Sequence, residues 1–522
     1  MEQGVGLAER PVATGNVARL DLENIERFGV YTRLYYEDRA YTNADELRYA
    51  GQLARVLYHY GVRRGDRVVA MLPNSPELTA AFQAIWTIGA AIIPVIPQWT
   101  AGEVRHILHN AEPIVAVTIP ALAPRLEQAD MEVETMKHLL VFGDSEVPSA
   151  QNILDSIASA CPIEIPADSS PSDLAILLYT SGTTGTPKGV MLTHENIASA
   201  LESTHLHNPN LRRGVMLNAL PLTHVFSVLV QNIANRWGWS TVLMRQFDPL
   251  KALEAIERRK VTYLPGVPTM FTYLLNHPGR AKYDLSSLTR ITSGGAALPE
   301  GLRLQCEQVF QCRIDQGYGL TESAAVATGY EIERRYRPFS AGVATPGVEI
   351  RILNDDDEPL PAGQNGEICL KGVNIMAGYW RDAAATREIL KDGWLHTGDI
   401  GYLDEEGYLF ITDRKKDLII KGGENISPRE IEEALYLHPA VAEAAVIGVP
   451  DAVFGEEIWA VLQLKAGAQA AEEELRLHVA GHVTKFKVPS RVLFRSVLPR
   501  NLTGKILKYK LRAELLAAGL IS

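Results

Sequence analysis

The sequence predicts an α/β protein: a large N-terminal domain of helix-flanked sheets carrying a β-rich subdomain, and a smaller α+β domain at the C-terminus. Three observations point there. Strand-like and helix-like patterns alternate over most of the 522 residues, as parallel sheets with helices on their faces require. Around residue 347 the texture turns to short strands and tight turns. Past residue 416 a separate helix–strand–helix pattern begins. At 100–200 residues per domain, the length allows about three or four units, and such a chain buries a core without a disulfide or metal staple.

Taken in order, NADELRYAGQLARVLYHYG (43–61) places apolar residues at helical spacing and ends on Gly61. RVVAMLP follows as a short buried strand, and another helix starts from Ser75. The most apolar stretch, Ala80 to Pro97, is interrupted by Gln83 and Pro94, so it reads as a buried helix running into a strand rather than a membrane span. GVEIRILNDDDEPLPAGQNGEICLKG reads as strand, turn, strand, and Asp404–Gly407 as a hairpin tip. These define a β-rich subdomain at about 340–415, closing an N-terminal domain of 1–415. In SPREIEEALYLHP, Ser427 and Glu430 form an S-x-x-E capping box with Pro428 in the first turn. Ile431, Ala434 and Leu435 then face one side. The strand AEAAVIGVP and a last helix, KYKLRAELLAAG, complete a C-terminal unit of 416–522. The basic run Arg414-Lys415-Lys416-Asp417 marks the junction.

Composition excludes several classes. Lys plus Arg is 51 against 62 Asp plus Glu, a formal charge of −11, which argues against a nucleic-acid partner. It leaves room for an anionic small molecule in a local basic pocket. The four cysteines, Cys161, Cys306, Cys312 and Cys369, form no C-x-x-C pair. They read as reduced and mostly buried thiols of a cytoplasmic protein. MEQGVGLAER lacks the basic and apolar regions of a signal peptide. No membrane span is expected, though peripheral association stays open, as does the choice between monomer and homodimer.

Five segments resist explanation as packing. LLYTSGTTGTPKGV (177–190) crowds Ser, Thr and Gly beside one lysine. It fails the Walker A spacing, since Pro187 stands where the second glycine would fall. Its logic is similar: Gly182, Gly185 and Gly189 permit tight turns, and exposed N–H groups with Thr and Ser hydroxyls suit a phosphate. Alone, it also reads as a polar turn. QGYGLTES (316–323) offers Tyr318 as a flat surface for a nucleobase and Glu322 as a hard oxygen ligand for Mg²⁺. WLHTGDIGY presents Asp399 to vicinal ribose hydroxyls or as a turn cap. ITDRKKDLIIKGGENISP brings Arg414 and the bare backbone of Lys421-Gly422-Gly423, with Lys415 left as a solvated charge. In LPRNLTGKILKYK, Lys505 is a mobile point charge after Gly504.

Together, in this order, these segments resemble the adenylate-forming, or acyl-activating, superfamily, over about Tyr41 to Leu511. Within it the pattern is similar to acyl-CoA synthetases of the fatty-acid–CoA ligase type. The resemblance implies ATP, Mg²⁺ and coenzyme A. A carboxylate attacks the α-phosphate to give acyl-AMP and pyrophosphate; a thiol then displaces AMP. Positioning and positive charge carry such a reaction. By resemblance, Thr180, Ser181, Gly182, Thr183, Thr184, Gly185 and Lys188 hold the triphosphate. Tyr318 stacks on adenine with Gln316 at its edge. Thr321 touches the α-phosphate, Glu322 binds Mg²⁺, and Asp399 and Arg414 hold the ribose. Lys505, with Thr184, Glu322 and His224, makes up the catalytic set, Lys505 bridging the carboxylate and the α-phosphate. The small domain is expected to rotate about Lys416 between half-reactions, bringing Lys421, Gly422 and Gly423 to the pantetheine path.

PLTHVFSVL resembles the border of the acyl pocket, where His224 gates the carboxylate end or is simply a satisfied buried histidine. Gly295, Ala296, Gly319 and Ala324 leave room for a chain-like or flat tail, with Ala325 and Val326 extending an apolar wall. No Asp stands in these segments to hold an amino group, which disfavours an amino acid. The expected substrate is an apolar carboxylic acid, a medium- or long-chain fatty acid before an aryl acid of the benzoate or coumarate kind. The alternative acceptor is a separate carrier protein. None is expected to be fused, with 17 residues after Lys505.

Overall fold

The computed structural model describes residues 15–163, 169–180, 187–207, 213–330, 335–451, 453–465, 467–500 and 506–521. Two large sheets form the N-terminal part. One has seven strands in the order Ile314–Gln316, Arg290–Ser293, Tyr263–Gly266, Val215–Asn218, Ser240–Leu243, Thr32–Tyr36 and Arg39–Thr42, and only the last pair is antiparallel. The other has eight strands. Six of these are parallel, among them Arg67–Met71, Ala91–Pro94 and Leu174–Thr180, and Lys188–Thr193 and Gly378–Tyr379 extend it antiparallel. Helices cover both, as the alternating pattern requires.

Local chemistry fixes the boundaries. Helix Asn43–His59 starts with a capping box between Thr42 and Asp45. Ser75 caps Pro76–Ile88, accepting from the Leu78 N–H, and left-handed Gly89 at φ 80° ends it. Most of that helix is buried and it leads into the buried strand Ala91–Pro94, as expected of the apolar stretch. Among the described residues no helix is long and apolar enough to cross a membrane. Buried Arg33 ties two helices together, with ion pairs of 2.6 Å to both Asp21 and Glu46.

Strands Val348–Leu353, Gly366–Gly372, Trp394–Leu403 and Leu409–Arg414 form an antiparallel sheet. Its hairpin tip is Asp404–Gly407, closed by the Gly407 N–H on the Asp404 carbonyl at 3.0 Å. The C-terminal sheet is built on the long ribbon Val441–Asp451 and Gly455–Leu464. Helices Pro428–Tyr436, Glu472–Ala480 and Lys508–Ala517 accompany it. Ile419, Ile431, Leu435, Val446 and Ile458 form a core of its own.

Three expectations change. Ser427 does not cap its helix. Its hydroxyl bonds instead to the Thr412 carbonyl at 2.9 Å and the Asp413 carboxylate at 2.7 Å, while Glu430 pairs with Lys487. The serine therefore fastens the small domain to the strand before it, and the Asp413 carboxylate accepts the Arg429 N–H of the helix at 3.2 Å in its place. Gly189 is no turn residue: it lies in a strand paired with Tyr179. There a Cβ would come within 3.0 Å of Leu177 and 3.1 Å of Tyr179, so close packing demands the glycine. Of the cysteines, all free, Cys306 and Cys369 are buried but Cys161 is exposed.

Candidate active site

A cavity of about 1520 Å³ lies where the two large sheets, the β-rich sheet and the small domain meet. One corner of it is built on a hairpin. Strands Trp394–Leu403 and Leu409–Arg414 pair antiparallel with Asp399 directly opposite Arg414. Across that pair the Arg414 Nε donates to Asp399 Oδ1 at 2.7 Å, and the Tyr318 hydroxyl donates to Oδ2 at 2.6 Å. Burial, then the charge of Asp399, push the Tyr318 phenol well above its usual pKa. It therefore stays a donor. Tyr318 and Arg414 line the cavity; Asp399, 5% exposed, stands behind them. Gln316 also lines it, with its Oε1 accepting from the Leu298 N–H at 2.8 Å.

Thr321 and Glu322 follow on a single 3-10 turn and both line the cavity. The Tyr379 hydroxyl donates to Glu322 Oε1 at 2.8 Å. Tyr379 also faces Lys188, whose Nζ is 5.2 Å from the ring centroid. Thr180 and Lys188 are register partners at the end of a hairpin. The Ser/Thr/Gly run expected to hold phosphates is the connection between them; Ser181, Gly182, Thr183, Thr184 and Gly185 lie outside the described residues. Magnesium keeps water and phosphate oxygens and needs only one or two carboxylates. Glu322, a carboxylate at the cavity wall, fits that donor set. Among the described residues there is no cluster of three or more ligating side chains of the kind a protein-only metal cage would need.

The residues expected on the acyl side divide between the cavity wall and positions off it. His224 lines the cavity and caps helix Val225–Trp237, its Nδ1 accepting from the Phe226 N–H at 3.3 Å. Burial pushes its pKa down to about 4, so it is neutral at physiological pH. Gly295 lines the cavity in a left-handed turn at φ 75°, and Gly319 does so where a Cβ would strike the Ala325 carbonyl. Ala296 and Ala324 are not on the wall. Ala324 is 3% exposed, turned inward by left-handed backbone at φ 48°, and Ala325 and Val326 face the cavity instead.

From the small domain, Arg500 and Lys508 reach the cavity, flanking the segment of Lys505, which itself lies outside the described residues. Arg500 ion-pairs with Glu443 and donates to Thr269 of the large domain at 3.4 Å. Lys508 pairs with Glu432 at 2.8 Å. Lys416 lines the cavity too. Lys421, Gly422 and Gly423 do not: they form the tight turn between Ile419–Lys421 and Glu424–Ile426, with Lys421 paired to Glu457 at 2.7 Å. The glycines, at φ 59° and 84°, satisfy the left-handed turn. Sequence reasoning missed Tyr379, Arg500 and Lys508. Lysines and arginines on a helical or turn pattern carry no signal by themselves, and Tyr379 finds Glu322 only through strand pairing.

Comparison with known proteins follows this geometry. The family model of the AMP-binding enzymes matches residues 22–380, and that of the AMP-binding enzyme C-terminal domain matches 430–505. The chain is 35% identical to a long-chain-fatty-acid–CoA ligase of Bacillus subtilis, over 97% of this chain and 96% of that one. It is 34% identical to a 4-coumarate–CoA ligase of Humulus lupulus, over 91% and 89%. The ATP-bound structure of MatB from Rhodopseudomonas palustris, 31% identical, aligns with a TM-score of 0.87 over 95% of this chain and 99% of that one. Apo MatB, also 31% identical, aligns with a TM-score of 0.78 over 96% and 99%.

Proposed function

The chain belongs to the AMP-binding enzyme family and is an AMP-forming acid–thiol ligase, and from that premise we propose its substrate and the division of labour at the cavity. The acid is an aliphatic one, a medium- or long-chain fatty acid, activated as acyl-AMP and passed to coenzyme A. One observation carries the acid-activating part of this reading: Thr180, Lys188, Tyr318, Glu322 and Arg414 share one cavity with the segments flanking Lys505. Four separate stretches of chain thus meet where an anionic nucleophile must approach an anionic phosphate.

Tyr318 stacks on adenine, and Gln316 reads its edge. Asp399, already holding Arg414, and Arg414 itself take the ribose. Thr180, Lys188 and the loop between them receive the β- and γ-phosphates. Thr321 stands at the α-phosphate. Glu322 holds Mg²⁺, which neutralises phosphate charge when bound, and the Tyr379 hydroxyl fixes the orientation of that carboxylate. Lys505 supplies positive charge to the oxygens at phosphorus as the bond to the carboxylate forms and pyrophosphate leaves. His224, neutral, borders the carboxylate end, and Gly295 and Gly319 leave the acyl path open. The division falls at residues 1–415 and 416–522, with Lys416 as hinge, and rotation brings the Lys421–Gly423 turn to the thiol. The enzyme is taken to work in the cytoplasm, where ATP and coenzyme A are at hand, and to do so as a monomer or homodimer.

A panel of fatty and aryl acids with ATP, Mg²⁺ and coenzyme A, following AMP release, tests the assignment. Aliphatic acids are expected to be turned over at least tenfold faster than coumarate and benzoate. The Humulus lupulus relative makes an aryl acid the second reading, and the reverse ranking would establish it. AMP release without a coenzyme A thioester would favour a carrier protein as acceptor.

A further inference from the structure

The far wall of the acyl path is not apolar. Strands Tyr263–Gly266, Arg290–Ser293 and Ile314–Gln316 are parallel neighbours, with Tyr263 beside Arg290 and Thr292 beside Asp315. Side chains alternate along a strand, so Arg290 and Thr292 share a face. Ile291 between them belongs to the core with Phe271 and Phe310. The faces of parallel strands are usually near-continuous apolar runs. Here Tyr263, Arg290, Thr292 and Asp315 all line the cavity.

Among the described residues, two donor atoms on this wall make no hydrogen bond. Trp239 is 3% exposed, and its ring sits 5.5 Å from that of Tyr263 at 85°. Among the described residues its Nε1 is buried and without a hydrogen bond, as is Arg290 Nε. The Arg290 Nε stands 3.6 Å from the Asp315 carboxylate, close enough for ion pairing but too far to hydrogen-bond. Asp315 is shared with Arg313 at 2.5 Å. Asp315 thus stands nearer to Arg313, and Arg290 Nε is left without a hydrogen bond among the described residues. Arg290 opens its strand, whereas the Gly294–Gly295 turn follows its end. Three steps of about 3.3 Å put Arg290 roughly 10 Å along the strand from Ser293 and that turn.

We infer that the acid bears a second carboxylate at its far end, received by Arg290 and the indole N–H of Trp239. The inference rests on the proposed acid–CoA ligase reading and narrows its substrate to a chain with a terminal carboxylate. A buried donor left unmatched is costly, and a site built to hydrogen-bond a substrate group rejects the analogue lacking it far more strongly than an apolar pocket does.

The test compares acids of equal, medium chain length that end in a methyl or a carboxylate, by CoA-dependent AMP release. The ω-carboxy acid is expected to have a kcat/KM at least about 100-fold higher. Arg290→Leu and, separately, Trp239→Phe are each expected to reduce that ratio tenfold or more. Trp239→Phe keeps an aromatic ring, so it serves if the arginine variant does not fold. A wild-type preference for the methyl-terminated acid, or a ratio unmoved by the substitutions, would overturn this inference alone. AMP release with neither acid, nor with any of the panel above, would sink the ligase reading and this inference with it.

Discussion

Asp399 spends both carboxylate oxygens before any nucleotide arrives, one on Arg414 Nε and one on the Tyr318 hydroxyl. Removing its charge leaves the partly buried guanidinium without its counter-ion. Truncating one member of such a pair costs about 2 kcal/mol or more, so Asp399→Asn should lower kcat/KM for ATP by about 30-fold or more; an unchanged value would show that the nucleotide does not sit on this corner. Glu322→Gln should raise the Mg²⁺ concentration for half-maximal rate without changing the Tm by more than a degree or two, measured by magnesium titration and thermal melts. His194 tests burial rather than catalysis. It is fully buried, both ring nitrogens lack partners among the described residues, and burial pushes its pKa down to about 4. Between pH 6.5 and 4 the unfolded chain binds a proton at this site that the native one refuses. The stability is complete above pH 6.5 and is lost as pH falls toward 4, on the order of 3 kcal/mol from this group. Urea melts at pH 7 and pH 5 should show His194→Leu losing less stability than wild type over that interval.

Among elements, the two hairpins matter most. One sets Thr180 against Lys188 and the other Asp399 against Arg414, so residues that sequence presents as separate motifs become neighbours by strand register. This was legible: alternation gave the parallel sheets, and Asp404–Gly407 gave the second hairpin. Register itself was not, because nothing local in TGD or DRKKD says which residue stands opposite which. The same holds for Tyr379, which depends on the pairing of Gly378–Tyr379 with Lys188–Thr193. The turn at 415–417 follows, held by the Asp417 and Leu418 N–H groups on the Arg414 carbonyl. Proline there restricts its own φ and the residue before it. Lys416→Pro should therefore slow the overall reaction at least tenfold while leaving one half-reaction within about threefold; equal effects on both would remove the hinge role.

At the scale of the molecule, the N-terminal sheets wall the cavity, and the small domain closes it with Arg500 and Lys508. The motif order disclosed which loops gather; it did not disclose what lies behind the acyl path, because Tyr263, Arg290 and Asp315 look like ordinary strand positions until register joins them. Ala324 was misplaced for a related reason, since a left-handed backbone at two successive alanines is invisible in composition. The central claim is that one cavity serves two chemical steps, with Lys505 needed for only the first. The direct measurement is Lys505→Ala assayed for each step separately. Carboxylate-dependent exchange of pyrophosphate into ATP should fall by about 10²–10³, while thioester formation from supplied acyl-AMP stays within a few-fold of wild type. Equal losses in both steps would contradict the account.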